Sequence, residues 1–193
     1  MTTTISIADQ AERLFLDPRR SGLDGAEVIA RPRGASGEII LCVGTGPLDS
    51  VSVSVAKAYA TQQRELRRPG DGWLQQAGWV FPDAEAAANA MHAIGRAVQR
   101  CAFKRMALDP VEPGVRVTAA SAVGRQSRAG WNGYAVEQVM AMNGNRTSVS
   151  TRLLLRHDRT ILALEYCNYR GGREQTLRSH NHAILAKILR RPP

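Results

Sequence analysis

The run from Thr147 to Cys167, TSVSTRLLLRHDRTILALEYC, constrains this chain more than any other stretch. Val149, Thr151, Leu153 and Leu155 alternate with Ser150, Arg152 and Leu154, Arg156-His157-Asp158-Arg159 makes a polar break, and Thr160 to Cys167 is again apolar and β-rich. Period-two patterning on both sides of a polar break predicts a β-hairpin. With Leu155 opposite Thr160, one face carries Val149, Thr151, Leu153, Leu155, Leu162, Leu164 and Tyr166. The other carries Ser150, Arg152, Leu154, Ile161, Ala163, Glu165 and Cys167. The first face is the drier and needs a cover. The second places Arg152 and Glu165 two positions out of direct register and can serve as the wall of a cleft.

Two amphipathic segments supply the cover. After a strand from Trp73 to Phe81, Asp83 is suited to cap a helix running to about Arg100, with Ala87, Ala90, Met91, Ile94, Val98 and Cys101 on one stripe. A last helix is expected from Glu174 to Arg190, with Leu177, Asn181, Ile184, Leu185 and Ile188 on one side, and a short first helix from Ser6 to Leu16. Further strands are read at Glu38 to Val43, Ser50 to Gln63, Val115 to Val123 and Trp131 to Met142, with Arg64 to Asp71 as a charged loop. Gly44-Thr45-Gly46 is followed by a strand pattern rather than a helix, which excludes a dinucleotide loop. The order predicts an α+β fold: an antiparallel β-sheet with two main helices packed on one face and a short N-terminal helix. Residues 1–37 form an N-terminal helix and arm, and 38–193 a single compact domain.

Composition narrows the function classes. No apolar run approaches the ~20 residues of a spanning helix. The start, MTTTISIADQAERL, lacks the basic and apolar regions of a signal peptide, which places the protein outside the membrane barrier only if an export signal has been removed, and in the cytoplasm otherwise. Lys and Arg total 26 against 17 Asp and Glu, a formal charge of +9, and all but three of the cations are arginine. They are scattered over every segment without interleaved aromatics, so no specific nucleic-acid partner is expected. No hydrolase, metalloprotease or phosphate-loop motif occurs, and His180 and His182 at i and i+2 face apart on a helix, so neither a metal nor a cofactor is expected.

The candidate site lies on the mixed face. Arg152 and Glu165 could orient a polar group or move a proton, the ordinary alternative being a surface ion pair. Trp79, Trp131, Tyr134 and Tyr166 could form the apolar walls of a pocket, the alternative being core packing. Cys101 closes the long helix and Cys167 the last strand, elements expected to pack together, so a bridge between them is geometrically sensible. Two buried thiols fit the residues equally well.

The segments WVFPDAEAAANAMHAIGRAVQRC and RLLLRHDRTILALEYCNY, followed by an amphipathic helix, resemble the PknH-like extracellular sensor domain of actinobacterial Ser/Thr kinases and lipoproteins, over about Glu38 to Leu189. The resemblance implies an antiparallel sheet with helices on one side, a ligand cleft and two disulfides. Cys101 and Cys167 would match one bridge. Cys42 would be one half of the other, with Ser150 standing where its partner is expected. The resulting expectation is a domain that binds a small, largely apolar ligand against the aromatics, oriented by Arg152 and Glu165. A cytoplasmic enzyme of natural-product biosynthesis, closing a ring or moving a proton on the same scaffold, is the alternative, and a protein-interaction module using the basic surface is a third. The sequence leaves the oligomeric state open.

Overall fold

The structure is a computed structural model. It describes residues 27–33, 38–42, 50–55, 60–68, 72–108, 113–143, 146–169 and 172–189. The helix expected at Ser6 to Leu16 lies outside the described residues.

Among the described residues, ten strands and two helices follow one another as β1 (Glu27–Arg33), β2 (Glu38–Cys42), β3 (Val51–Ser54), β4 (Ala60–Arg68), β5 (Gly72–Val80), α1 (Ala84–Ala97), β6 (Phe103–Leu108), β7 (Val117–Arg128), β8 (Trp131–Met142), β9 (Arg146–His157), β10 (Thr160–Asn168) and α2 (Glu174–Ile188). Eight strands make one antiparallel sheet in the order β1-β4-β5-β10-β9-β8-β7-β6, and β2 and β3 pair separately. Strand β1 falls within the 1–37 stretch assigned to the arm and pairs with β4 from Glu27 to Arg33. The stretch expected to be a charged loop is mostly strand: β4 runs through Arg68, its backbone paired on both sides by β1 and β5. Ladder pairing on two flanks outweighs the polar composition of ATQQRELRR.

The central hairpin forms with its register two residues from the expected one. Thr160 lies opposite His157, and Leu162 opposite Leu155. The cause is the turn: Asp158 and Arg159 alone make the loop, with Asp158 at φ 47°, the left-handed geometry that two-residue hairpins require and that Asp tolerates better than most residues. A shift of two keeps every side chain on its expected face.

The sheet is covered on both faces, not one. Under α2 lie Leu153, Leu155, Leu162, Leu164 and Tyr166, with Ile184, Leu185 and Leu189 from the helical segment, and Val149 with Leu177 beside them. Under α1 and the β2–β3 pair lie Leu154, Ile161, Trp79 and Val136, with Ile94, Val98, Ile39 and Leu41 above. The consecutive leucines 153 to 155 explain why: their run makes both faces apolar, and a sheet with two apolar faces needs a cover on each. Asp83 caps α1 as expected, accepting from the Ala86 amide at 2.7 Å. α2 is seated by Asn181, fully buried, whose Nδ2 donates to the Val149 carbonyl at 2.9 Å and Thr151 Oγ1 at 3.1 Å.

The disulfide differs from the one expected. Helix α1 ends in a 3-10 turn, Val98–Cys101, which carries Cys101 across to β2, where it bonds Cys42 with a Cα–Cα separation of 6.0 Å. Cys167 is a buried free thiol. Residue Ser150 lies directly opposite Cys167 in the β9–β10 ladder. The four positions therefore pair as 42 with 101 and 150 with 167, because β2 lies over the end of α1 while Cys167 stands at the far end of β10.

Candidate functional site

The register shift brings Arg152 and Glu165 directly opposite each other. Their side chains form an ion pair, Arg152 Nη2 to Glu165 Oε2, and both residues are buried, at 8% and 6% exposure. Further polar atoms of the pair are engaged nearby. Arg152 Nη1 donates to the Ile40 carbonyl of β2 at 2.7 Å, and Ser150 Oγ donates to Glu165 Oε1 at 2.5 Å. The mixed face is thus roofed by β2 at this point, and the pair ties that roof to the sheet.

The four aromatic candidates divide between the two faces. Trp79 is buried beneath α1, and Tyr134 lies half-buried on the same side. Trp131 and Tyr166 belong to the core on the opposite face. Trp131 stacks at a tilt on His157 with centroids 5.6 Å apart, and the Tyr166 ring lies 5.8 Å from His180. With the four split in this way they do not wall a common cavity; Tyr134 lines a cleft beside α1.

That cleft, about 280 Å³, runs between α1 and the strands β7, β8 and β9. Its apolar part is made by Ala88, Met91 and Tyr134, and its polar part by His92, Arg125, Asn132 and Arg156. Alternation places Arg125, Tyr134 and Arg156 on one face: Arg125 faces Tyr134 across β7–β8, and Arg156 faces Asn132 across β8–β9. On α1, Ala88, Met91 and His92 stand at i, i+3 and i+4, the spacing of a single helix face. Asn132 is already engaged, accepting from Ser127 Oγ at 2.7 Å. Arg156 donates to the Ala84 carbonyl at 3.1 Å, and among the described residues no carboxylate lines the cleft. Gly95 leaves room for Tyr134: a Cβ there would collide with the Tyr134 hydroxyl.

A second hollow, about 540 Å³, lies near the start of α2, lined by Arg105, Arg116, Thr118, Asn143 and Thr147. Its charge is partly neutralised, since Arg105 pairs with Glu174 at 2.7 Å. Glu174 also pairs with Arg178, which binds Glu137, and Glu137 reaches His182 at 2.6 Å, so this face carries an ion network that fastens α2 to the sheet.

At the far end of β10, Cys167 shares a hydrogen bond with Tyr169, whose hydroxyl accepts from the Trp73 indole at 2.6 Å. Burial pushes the Cys167 thiol up to about 11; the Tyr169 bond pulls the other way and the Glu165 charge adds to the rise. Burial likewise pushes Tyr169 up to about 12. A thiol held neutral in this way is a poor nucleophile.

No family profile and no curated protein matches the chain. Among solved structures, it is similar to the crystal structure of the extracellular domain of PknH from Mycobacterium tuberculosis, with a TM-score of 0.53 and 13% sequence identity, over 97% of this chain and 99% of that one. The fold is therefore PknH-like. Among the described residues, no helix is long and apolar enough to cross a membrane.

Arg125, Arg156 and His92 escape a reading of the sequence because each looks like one more scattered cation. The signal is present in the strand alternation: extending period two from Arg156 back through Tyr134 to Arg125 places them on the face that also receives α1.

Proposed function

We propose that this protein is a sensor-like binding domain whose small-molecule ligand sits in the cleft between α1 and β7–β9. The observation that carries this reading is the cleft itself, where half-buried apolar groups (Ala88, Met91, Tyr134) stand beside polar ones (His92, Arg125, Asn132, Arg156) with no carboxylate among the described lining residues to neutralise them. Pockets that fix a ligand combine those two features. The PknH-like fold adds support, since the related structure is an extracellular domain, and the Cys42–Cys101 bridge suits an oxidising compartment. On this reading Arg152 and Glu165 anchor the roof of the neighbouring core rather than meet the ligand. Trp79 supports α1 from below, and Tyr134 is the aromatic wall. The enzyme alternative has no comparable support, because Glu165 is held by Arg152 and Ser150 beneath β2.

The test is a titration of the ¹⁵N-labelled protein with small amphiphiles such as n-octanol and n-octyl phosphate, followed by amide shifts. Saturable shifts centred on Ala88, Met91, His92, Gly133 and Tyr134 support the reading. Saturable shifts centred on Arg152 and Glu165, or none at all, refute it.

A further inference from the structure

We infer that the ligand of this cleft is a free anionic amphiphile: a phosphate or carboxylate head held by Arg125 and Arg156, with an apolar body against Met91 and Tyr134. The inference rests on the binding-domain reading above and adds the chemical class. Arg125 and Arg156 stand on strands either side of β8, offset by two residues through their partners Tyr134 and Asn132. From strand and residue spacing their backbones are about 12 Å apart, within reach of two extended guanidinium side chains that meet on one oxyanion. Arg125 is exposed and forms no ion pair among the described residues, and Arg156 commits one Nη to the Ala84 carbonyl, leaving donors on both. A third donor group, the His92 imidazole, comes from α1. Several arginines elsewhere on the molecule are answered by carboxylates, as Arg105 by Glu174, Arg152 by Glu165 and Arg178 by Glu137. At this cleft no described carboxylate does the same. Guanidinium forks bind phosphate and carboxylate oxygens through paired, charge-assisted hydrogen bonds, while Met91 and the ring of Tyr134 bury alkyl or aromatic carbon well.

The experiment uses the full chain and four probes: n-octyl phosphate, n-octanol, inorganic phosphate and phosphatidylglycerol vesicles. Octyl phosphate is expected to shift the amides of Ala88, Met91, His92, Gly133 and Tyr134 and to bind at least about tenfold more tightly than octanol or inorganic phosphate, the scale of one charge-assisted contact. Arg125→Gln should remove most of the preference over octanol, and Arg125→Lys should keep part of it. Arg125 is exposed on its strand, so both variants are expected to fold. Equal binding of octanol and octyl phosphate would overturn the anionic head and leave the binding cleft intact. Equal binding of inorganic and octyl phosphate would overturn the apolar body. Sedimentation with vesicles that depends on Arg125, with the cleft amides unmoved by octyl phosphate, would replace the free ligand with a membrane surface. Silence of those amides toward both octanol and octyl phosphate would sink the cleft and the inference together.

Discussion

Replacing Glu165 by Gln removes one charge from a pair that the fold has taken out of water. Arg152 and Glu165 are 8% and 6% exposed, so neither ion has bulk solvent to fall back on. Breaking a buried pair at one end costs about 3–5 kcal/mol, mainly because the surviving charge is left uncompensated. Here the lower end applies. The introduced glutamine would keep an amide oxygen for Arg152, and Arg152 Nη1 keeps the Ile40 carbonyl at 2.7 Å. A loss of about 3 kcal/mol in a chain of this size lowers Tm by about 6–12 °C. The contrasting variant removes both charges: Arg152→Met with Glu165→Leu restores apolar volume and is expected within about 1 kcal/mol of the parent, since buried pairs contribute little against well-packed hydrophobes. Urea unfolding of the parent, Arg152→Met, Glu165→Leu and the double gives the coupling directly, provided the slope with urea stays constant. If Glu165→Gln costs less than about 1 kcal/mol, the pair is water-screened and the roofed geometry derived for it is wrong.

Thiol counting of the unreduced, denatured protein should find one free cysteine, and Cys42→Ser should lower stability by about 4 kcal/mol from the loop-closure relation for a 59-residue separation. Alkylation of native Cys167 should stay slow through pH 9 and rise toward pH 11. Its thiol ionises later in the fold than at the ordinary 9.0, so stability falls as pH climbs through that window, and a native alkylation midpoint near 9 would contradict the burial. Ser150→Cys, directly across from Cys167, should close a second bridge worth about 3 kcal/mol, read as a loss of the last free thiol and a higher Tm. Finally, Gly95→Ala should gain helix propensity of up to about 1 kcal/mol, yet displace the Tyr134 hydroxyl, which occupies the space the new methyl would take. Stability near that of the parent with weakened amphiphile binding is expected, and unchanged binding would separate Tyr134 from the site.

Much of the architecture is legible in local patterns. Alternation reads Trp131–Met142 as a strand and β8 forms there, and α1 begins at its acidic cap, because alternation and capping are decided within a few residues. The faces of the hairpin are legible in the same way. What covers each face is not, since alternation separates Leu153 from Leu154 without saying which helix meets which. The disulfide pairing fails for a related reason: Cys101 ends a helix that packs on the sheet and on the β2–β3 pair alike, and the placement of β2 over α1 depends on tertiary packing. The candidate site is legible in one residue, Tyr134. Arg152 and Glu165 look like a cleft pair because the sequence does not show β2 arriving from more than a hundred residues away to roof them.

The sheet with a core on each side has a consequence for how this chain can change over time. Along β9, odd positions such as Leu153 and Leu155 hold α2, whereas even positions such as Leu154 and Arg156 meet α1 and the cleft. One strand therefore writes two messages in alternate letters, one for the scaffold and one for recognition. Relatives could rewrite every second residue of β7, β8 and β9 to suit a new ligand while the intervening residues keep the α2 side intact. Saturation mutagenesis of β9 should accordingly separate into two interleaved profiles, with folding defects at 153 and 155 and altered selectivity at 156.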